Sequence, residues 1–423
     1  MSTRPTLAQA VSCLDDYDPD AMRVADARRV IERFVSPVQA VERVAIRAAL
    51  GRVLAADVVS PIDVPAHDNS AMDGFAVRWR DLEEGGETSM RVAGTAFAGK
   101  PFTGALASGE AVRVMTGAVM PADCDTVVVQ EIVRVDAHTV AIPAGQAKGQ
   151  NRRLRGEDLS AGRAALAAGR VVSPADLGLL ASLGIAEVAV RRRLRVAFFS
   201  TGDELRSIGE PLAAGEVYDS NRYTLYGMLR RLDVELIDMG VVPDRRDALE
   251  QAMRVAGESA DAVISSGGVS VGEADFTREV MARLGDVAFW KIAMRPGRPM
   301  AFGRVGNACY FGLPGNPVAV MITFYFFARE ALLRMSGATV KPAPLLRARA
   351  LADIRKRPGR TEYQRGILEH GPDGSMQVGT VGTQGSGVLR SMSQADCIIV
   401  LGHDLGAVKA GDLVDCLAFD GLV

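Results

Sequence analysis

The sequence predicts a multidomain α/β protein organised around one parallel-sheet domain between Arg195 and Gly315. Three observations carry that expectation. Apolar runs of strand length recur, in LRVAFFSTGDEL, VELIDMGVVPD, DAVISSGGVSVGEADF, VAFWKIAMRPGRP and ACYFGLPGNP. Helix-like segments lie between them, from Asn221 to Leu232, Arg246 to Glu258, Asp275 to Leu284 and Pro317 to Met335. Acidic and glycine-rich breaks follow the runs, and ligands of parallel sheets bind outside the carboxyl ends of the strands.

The 423 residues are enough for roughly three to four domains of ordinary size. Lys+Arg 49 against Asp+Glu 51 leaves a net charge of -2 without a long basic block, which argues against a nucleic-acid partner. The cysteines at 13, 124, 309, 397 and 416 stand singly with no CxxC. They read as reduced residues of a cytoplasmic protein, with neither a disulfide framework nor a structural zinc site. The opening MSTRPTLAQAVSCLDDYDPD lacks the apolar core of a signal peptide, and MITFYFFARE is too short and too charged at its end for a membrane span.

From the amino end, Met22 to Leu50 is helical in composition and interrupted at Ser36-Pro37. In the second part Val38, Val41, Val44 and Ala45 fall on one helical stripe before Gly51. Short β-like runs rich in glycine follow, and the chain then turns basic at Asn151-Arg152-Arg153. Leu159 to Leu183 reads as helices broken by Gly169 and Ser173-Pro174. The expected division is a split N-terminal helical domain over 22–60 and 146–190, with a small β-rich domain inserted over 61–145. The α/β domain takes 191–338, and a C-terminal β domain of small-barrel type takes 339–423 after Lys341-Pro342-Ala343-Pro344.

Asp203, Glu204, Asp244 and Asp275 stand just after predicted strands. Converging carboxylates repel one another, and a hard divalent cation such as Mg²⁺ would be a physical reason for keeping them. Helix capping accounts equally for Asp244 and Asp275. Ser265-Ser266-Gly267-Gly268-Val269-Ser270 follows a strand and precedes a helix, so its amides are expected to surround an anion. The alternative is a tight structural turn, since the loop is neither a Walker A loop nor a GxGxxG fingerprint.

Lys291, Arg295 and Arg298 place three cations around the Pro296-Gly297 turn, as a phosphate-rich or oxyanion ligand would require, or as a solvated loop would also show. Gly312-Leu313-Pro314-Gly315-Asn316-Pro317 sits between an apolar strand and a helix that Pro317 can open. Outside this domain, Asp68-Asn69-Ser70-Ala71-Met72-Asp73-Gly74, Met115-Thr116-Gly117 and Arg155-Gly156-Glu157-Asp158 are polar loops in apolar surroundings. Asx-turns would explain the first without a ligand.

Together DNSAMDGFA, MTGA, RGEDL, STGDEL, SSGGVSVGEADF, FWKIAMRPGRP and LPGNPV resemble, in order, the molybdopterin molybdenumtransferase family, the bacterial MoeA type related to the E domain of gephyrin. The resemblance runs from about Ala27 to the carboxyl end. It implies that the α/β domain is of the molybdopterin-binding type, and that a Mg²⁺-dependent enzyme releases AMP from adenylylated molybdopterin while inserting molybdate into the dithiolene. It also implies a homodimer with shared active-site clefts.

By the same resemblance Glu204, Asp244 and Asp275 belong to the nucleotide and Mg²⁺ region, and Asp68, Thr116 and Asp158 to the opposing side of the cleft. Lys291 matches a lysine of the phosphate and molybdate region. Arg295 stands where the family has a further lysine, and Arg298 is another basic position. From their place between strand and helix, the backbone of Ser265, Gly267, Gly268, Pro314 and Gly315 is expected to face substrate, and by the resemblance Arg360, Arg365 and Ser386 match the C-terminal contribution to molybdate binding. Implied partners are molybdopterin adenylyltransferase and the apo-molybdoenzymes or their chaperones. A noncatalytic molybdopterin-binding scaffold, an adenylyltransferase and a tungstate-inserting homologue are the alternatives. The domains on either side of the α/β domain argue against the adenylyltransferase.

Overall fold

The structure is a computed structural model and describes residues 5–14, 17–269 and 275–419, with the side chains of Asp275, Phe276 and Arg278 excepted. The chain divides into two units. Met1–Ala55, Gly169–Pro174 and Glu187–Val423 form the first, and Ala56–Ala168 with Ala175–Ala186 the second.

The second unit is built on a six-stranded sheet of β1 (Gly74–Val77), β2 (Thr88–Ala96), β3 (Glu110–Val114), β4 (Thr126–Val129), β5 (Arg134–Asp136) and β6 (Thr139–Ile142), in the order β4-β1-β3-β2-β6-β5. Side chains alternate between its faces. Ala76, Val112, Val114 and Val127 enter one core, while Phe75, Val77, Ala111 and Val128 enter another. Both faces are therefore apolar, although the strands are short.

In the first unit, α1 (Val24–Phe34) buries Ala27, Val30, Ile31 and Phe34 at helical spacing. The helix expected beyond Pro37 is absent. Val41–Ala45 is instead a strand, paired antiparallel with Glu187–Arg191, and a single 3₁₀ turn follows at Ile46–Ala49. Val41 is 52% exposed, so the stripe Val38, Val41, Val44 and Ala45 is not the buried face of a helix. A partner far away in sequence outweighs local propensity here. Leu159 to Leu183 departs in the same way: Ala164–Leu166 is a strand on Val58–Val59, and only Pro174–Ser182 is helical.

The central sheet consists of β7 (Arg195–Thr201), β8 (Glu235–Val242), β9 (Ala262–Ser266), β10 (Gly285–Lys291), β11 (Pro299–Val305) and β12 (Ala308–Leu313), in the order β8-β7-β9-β12-β11-β10. The first four are mutually parallel. The sheet is mixed rather than wholly parallel, because β11 runs antiparallel to both β12 and β10. Gly306-Asn307 makes the hairpin between β11 and β12, with Gly306 at φ +57°. That turn needs a residue able to hold a positive φ.

Phe198 and Phe199 are both fully buried, one on each face of the sheet. The Phe198 face packs with α1, α2 (Ser220–Arg230) and α5 (Pro317–Thr323), and the Phe199 face with α3 (Arg246–Ser259) and α4 (Asp275–Leu284). Helices α2 to α5 begin within a residue of the expected positions.

The C-terminal strands β13 (Leu346–Ala350), β14 (Thr361–His370), β15 (Met376–Thr380), β16 (Cys397–Leu401) and β17 (Leu413–Ala418) close on themselves through the pairing of β14 with β16. Met294–Arg295 adds to β14 in parallel, opposite Thr361 and Glu362. Among the described residues, no helix is long and apolar enough to cross a membrane.

Candidate active site

At the carboxyl ends of β7, β9 and β12 the first unit holds a cavity of about 1030 Å³. The parallel strands deliver the loops that line it: Thr201–Leu205 after β7, Gly267–Val269 after β9, and Pro314–Pro317 after β12. The Arg295–Pro299 turn, Arg360 and the loop Gln384–Gly387 from the barrel complete the wall.

Of the residues expected to bind or react, Glu204, Asp244, Gly267, Gly268, Arg295, Arg298, Pro314, Gly315, Arg360 and Ser386 all line this one cavity. Four carboxylates, Asp203, Glu204, Asp219 and Asp244, and the guanidinium groups of Arg295, Arg298 and Arg360 share it. The Asp244 N–H donates to Asp203 Oδ1 at 3.2 Å, which ties the loop after β8 to the loop after β7. Glu204 folds back over Gly202, where an added Cβ would lie 2.6 Å from its Oε2.

The glycine loop differs from expectation. Gly267 has φ +93°, and a Cβ there would lie 2.4 Å from the Thr201 carbonyl oxygen. Its N–H donates to the Leu313 carbonyl at 3.1 Å. Gly267 therefore lets β9 leave the sheet between its neighbours, and its amide is used within the fold rather than offered to an anion. Ser270 lies outside the described residues.

Among the described side chains of the first unit, three that were expected in the site are not on the cavity wall. Ser265 is 1% exposed and shares a 2.7 Å hydrogen bond with the Tyr310 hydroxyl; burial pushes the Tyr310 phenol up to about 12. Lys291 ends β10, and its Nζ lies 2.7 Å from Asp20 Oδ1. Arg365 is fully buried on β14. Its Nε donates to Ser391 Oγ at 3.0 Å, and its Nη2 donates to the carbonyls of Thr383 at 3.1 Å and Gly385 at 3.0 Å. Burial, with a smaller contribution from the Arg295 charge, lowers its pKa to about 10. Arg365 thus holds the loop that carries Ser386 into the wall, while the Ser386 carbonyl accepts the Val318 N–H of α5 at 3.0 Å. Asp275 opens α4, and its side chain lies outside the described residues.

In the second unit, Asp68 Oδ1 accepts the Arg155 N–H at 2.7 Å and Oδ2 pairs with Arg152. The Arg152 hydrogen bond, then the Arg155 amide, holds its carboxyl below the usual value. Thr116 donates twice to Asp73 Oδ1, from N–H at 2.7 Å and from its hydroxyl at 2.8 Å. Asp158 is exposed, and its N–H donates to the Val64 carbonyl at 3.1 Å. The three polar loops therefore meet within that unit, and Asp73 is the member that sequence reasoning left out of the site. In the first unit it also left out Asp219 and Asn221, which begin α2. The available signal was Asp-Ser-Asn directly before a helix, which reads as a cap.

Three family models match the chain. The MoeA N-terminal region (domain I and II) covers residues 22–184, a probable molybdopterin binding domain covers 197–334, and the MoeA C-terminal region (domain IV) covers 347–419. The molybdopterin molybdenumtransferase of Haemophilus influenzae is 43% identical over 397 residues, covering 93% of this chain and 98% of that protein. The chain belongs to the molybdopterin molybdenumtransferase family. A molybdopterin molybdenumtransferase of a Nostoc species is 36% identical over 390 residues, with 89% of each protein covered. The crystal structure of the molybdopterin biosynthesis moeA protein from Pyrococcus horikoshii OT3 superposes with a TM-score of 0.82 at 27% identity, over 94% of this chain and all of that one.

Among the described residues no three His, Cys, Asp or Glu side chains gather as a complete metal cluster. Mg²⁺ is characteristically held by one or two carboxylates together with waters and substrate phosphates rather than by an all-protein cage. Asp203, Glu204 and Asp244 on one cavity wall are hard oxygen donors of that kind, so the residues fit Mg²⁺ arriving with its substrate.

Proposed function

We propose that this chain is a molybdopterin molybdenumtransferase of molybdenum cofactor biosynthesis. It would insert molybdate into adenylylated molybdopterin with Mg²⁺-dependent release of AMP. The observation that carries the reading is the cavity in which carboxylates and arginines from separate loops converge at the carboxyl ends of a parallel sheet, in a chain matched to the family from residue 22 to 419.

Glu204 and Asp244 would hold the ion, with Asp275 as the third carboxylate the resemblance implies. An ion held there would supply charge neutralisation at the phosphoanhydride. A carboxylate beside the anhydride orients a water and takes its proton as the new O–P bond forms. The old P–O bond breaks toward the pterin phosphate, and AMP leaves. Arg295, Arg298 and Arg360 fix the oxyanions, and arginine's planar fork suits both phosphate and molybdate, the latter a substrate. Lys291 is proposed to stabilise charge during transfer, which requires it to exchange its Asp20 partner for the anion.

The proposal includes a homodimer in which Asp68, Thr116 and Asp158 of one subunit serve the cavity of the other. Their meeting in one loop cluster supports treating them as a single functional group. Molybdopterin adenylyltransferase as supplier and apo-molybdoenzymes or their chaperones as recipients follow from the same reading.

The test is to incubate the purified protein with adenylylated molybdopterin, molybdate and Mg²⁺, and to measure AMP together with cofactor transferred to an apo-enzyme. Both products are expected in step. Tight pterin binding with neither product would make the chain a scaffold.

A further inference from the structure

Among the described residues, three buried side chains of the cavity wall carry an oxygen with no hydrogen-bond partner. Asp219 is 2% exposed. Its Oδ1 accepts from Ser200 Oγ at 2.9 Å and from the Arg222 N–H at 3.1 Å, capping α2, while Oδ2 has no partner. Asn221 is 8% exposed; its Nδ2 donates to Ser266 Oγ at 2.8 Å and to the Gly315 carbonyl at 2.6 Å. A carbonyl only accepts, so the amide cannot be flipped, and the partnerless atom is the oxygen Oδ1. Thr201 is 7% exposed, and its Oγ1 is likewise without a partner.

Buried polar atoms of native proteins are nearly always paired, and each exception calls for an occupant. A carboxylate oxygen and an amide oxygen accept only, so the occupant is a hydrogen-bond donor or a cation. An anion is repelled by Asp219. The same cavity carries the arginines Arg295, Arg298 and Arg360, so one ligand must bring donor groups for the first set and negative charge for the second. A ribosyl phosphate has that pairing, and a carboxylate receiving a ribose hydroxyl is a known solution at the carboxyl end of a parallel sheet.

We infer that Asp219 and Asn221, with Thr201 beside them, form a ribose subsite for the nucleotide part of the substrate. Asp219 Oδ2 and Asn221 Oδ1 accept from the vicinal hydroxyls, and the Thr201 hydroxyl completes the contact. This rests on the adenylylated substrate proposed above and adds to it the residues that read the sugar. No covalent step is involved.

The test is isothermal titration of the full-length protein, in Mg²⁺, with AMP, 2′-deoxy-AMP and 3′-deoxy-AMP. Wild type should bind at least one deoxynucleotide about tenfold more weakly than AMP, as expected for one lost hydrogen bond to a charged acceptor. Asp219→Asn keeps an oxygen for the cap and presents an amide N–H₂ in place of Oδ2. It should bind AMP about tenfold more weakly, with no further loss for the deoxynucleotide that wild type discriminates. Thr201→Val removes a hydroxyl that has no hydrogen-bond partner among the described residues, and should narrow the same discrimination even where Asp219→Asn folds poorly. Equal wild-type affinity for all three nucleotides overturns the subsite and leaves the nucleotide reading standing. Failure of wild type to bind AMP at all removes both. A titration with Mg²⁺ alone guards against another occupant: if Asp219→Asn abolishes Mg²⁺ binding without nucleotide, the orphan oxygens are cation ligands and the ribose assignment falls.

Discussion

Glu362 holds Arg360: the Arg360 Nε donates to Glu362 Oε1 at 2.9 Å, from a guanidinium on the cavity wall to a carboxylate that is only 2% exposed. The other oxygen of Glu362 accepts from Gln364 Nε2 at 3.3 Å. A flexible cation is thereby fixed to a strand, and the loss of rotamer freedom is met in the fold before any anion arrives.

Glu362→Ala should therefore act on both stability and anion use. Arg360 keeps access to solvent, so the stability cost should be about 1 to 3 kcal/mol rather than that of a fully buried broken pair. The molybdate concentration for half-maximal cofactor formation should rise about tenfold, the equivalent of one charge-assisted contact. Urea unfolding beside a molybdate titration checks the two together. An unchanged titration in a folded variant would show that Arg360 does not need its tether.

Arg365→Ala is expected to fail differently. Its three side-chain hydrogen bonds hold Ser391 and the Thr383 and Gly385 carbonyls, and removing them should cost about 2 to 5 kcal/mol. Thermal melts should fall first, and any molybdate defect should follow the loss of the Gln384–Gly387 loop. A variant that melts like wild type yet needs more molybdate would return Arg365 to the role of a direct ligand.

Gly267→Ala places a methyl group 2.4 Å from the Thr201 carbonyl at φ +93°. The backbone strain alone should cost about 1 to 3 kcal/mol. Circular dichroism melts and AMP titration should both show losses. Wild-type behaviour in both would mean that the loop relaxes freely.

The carboxyl of Asp68 is held below its unfolded value of 3.8, first by Arg152. A lowered folded-state pKa contributes stability that is present in full above the unfolded value and lost as pH falls through the folded one. Asp68→Asn should therefore be less stable than wild type at neutral pH, with the gap closing only below about pH 4. Denaturant unfolding at several acidic pH values measures it, and a gap independent of pH would assign the loss to shape rather than charge.

For Asp244→Asn, turnover at limiting Mg²⁺ should drop by at least tenfold and recover partly at high Mg²⁺, because a neutral oxygen still coordinates but neutralises nothing. Magnesium titrations of AMP release would reveal this. Turnover indifferent to the substitution at every Mg²⁺ concentration would leave Asp244 as a loop residue only.

Much of this was legible in the sequence where short-range rules decide. Helix α2 begins at the Asp219 cap and α5 at Pro317, and the loops after β7, β9 and β12 carry the acidic and glycine motifs. What failed depended on partners far away in the chain. Val41–Ala45 reads as helix until Glu187–Arg191 is beside it. The strand Pro299–Val305 is the exception, because its partner Ala308–Leu313 is only a Gly306-Asn307 hairpin away. Arg365 carries the chemistry of an anion ligand, and only its burial shows that it serves a loop. Asp219 and Asn221 looked like a helix start because one atom of each does hold the fold, and only the coordinates show the other atom left over.

The two-residue pairing of Met294–Arg295 with Thr361 and Glu362 on β14 limits how this protein can be rearranged. That backbone pairing ties the arginine turn to the barrel at the position where Arg295 enters the cavity wall. A chimera that exchanges residues 339–423 for those of a relative would have to seat a foreign strand against Arg295, or lose the geometry of the turn. The C-terminal barrel is thus a poor candidate for modular exchange, and natural variation in oxyanion preference should accumulate within its loops rather than by replacement of the whole domain.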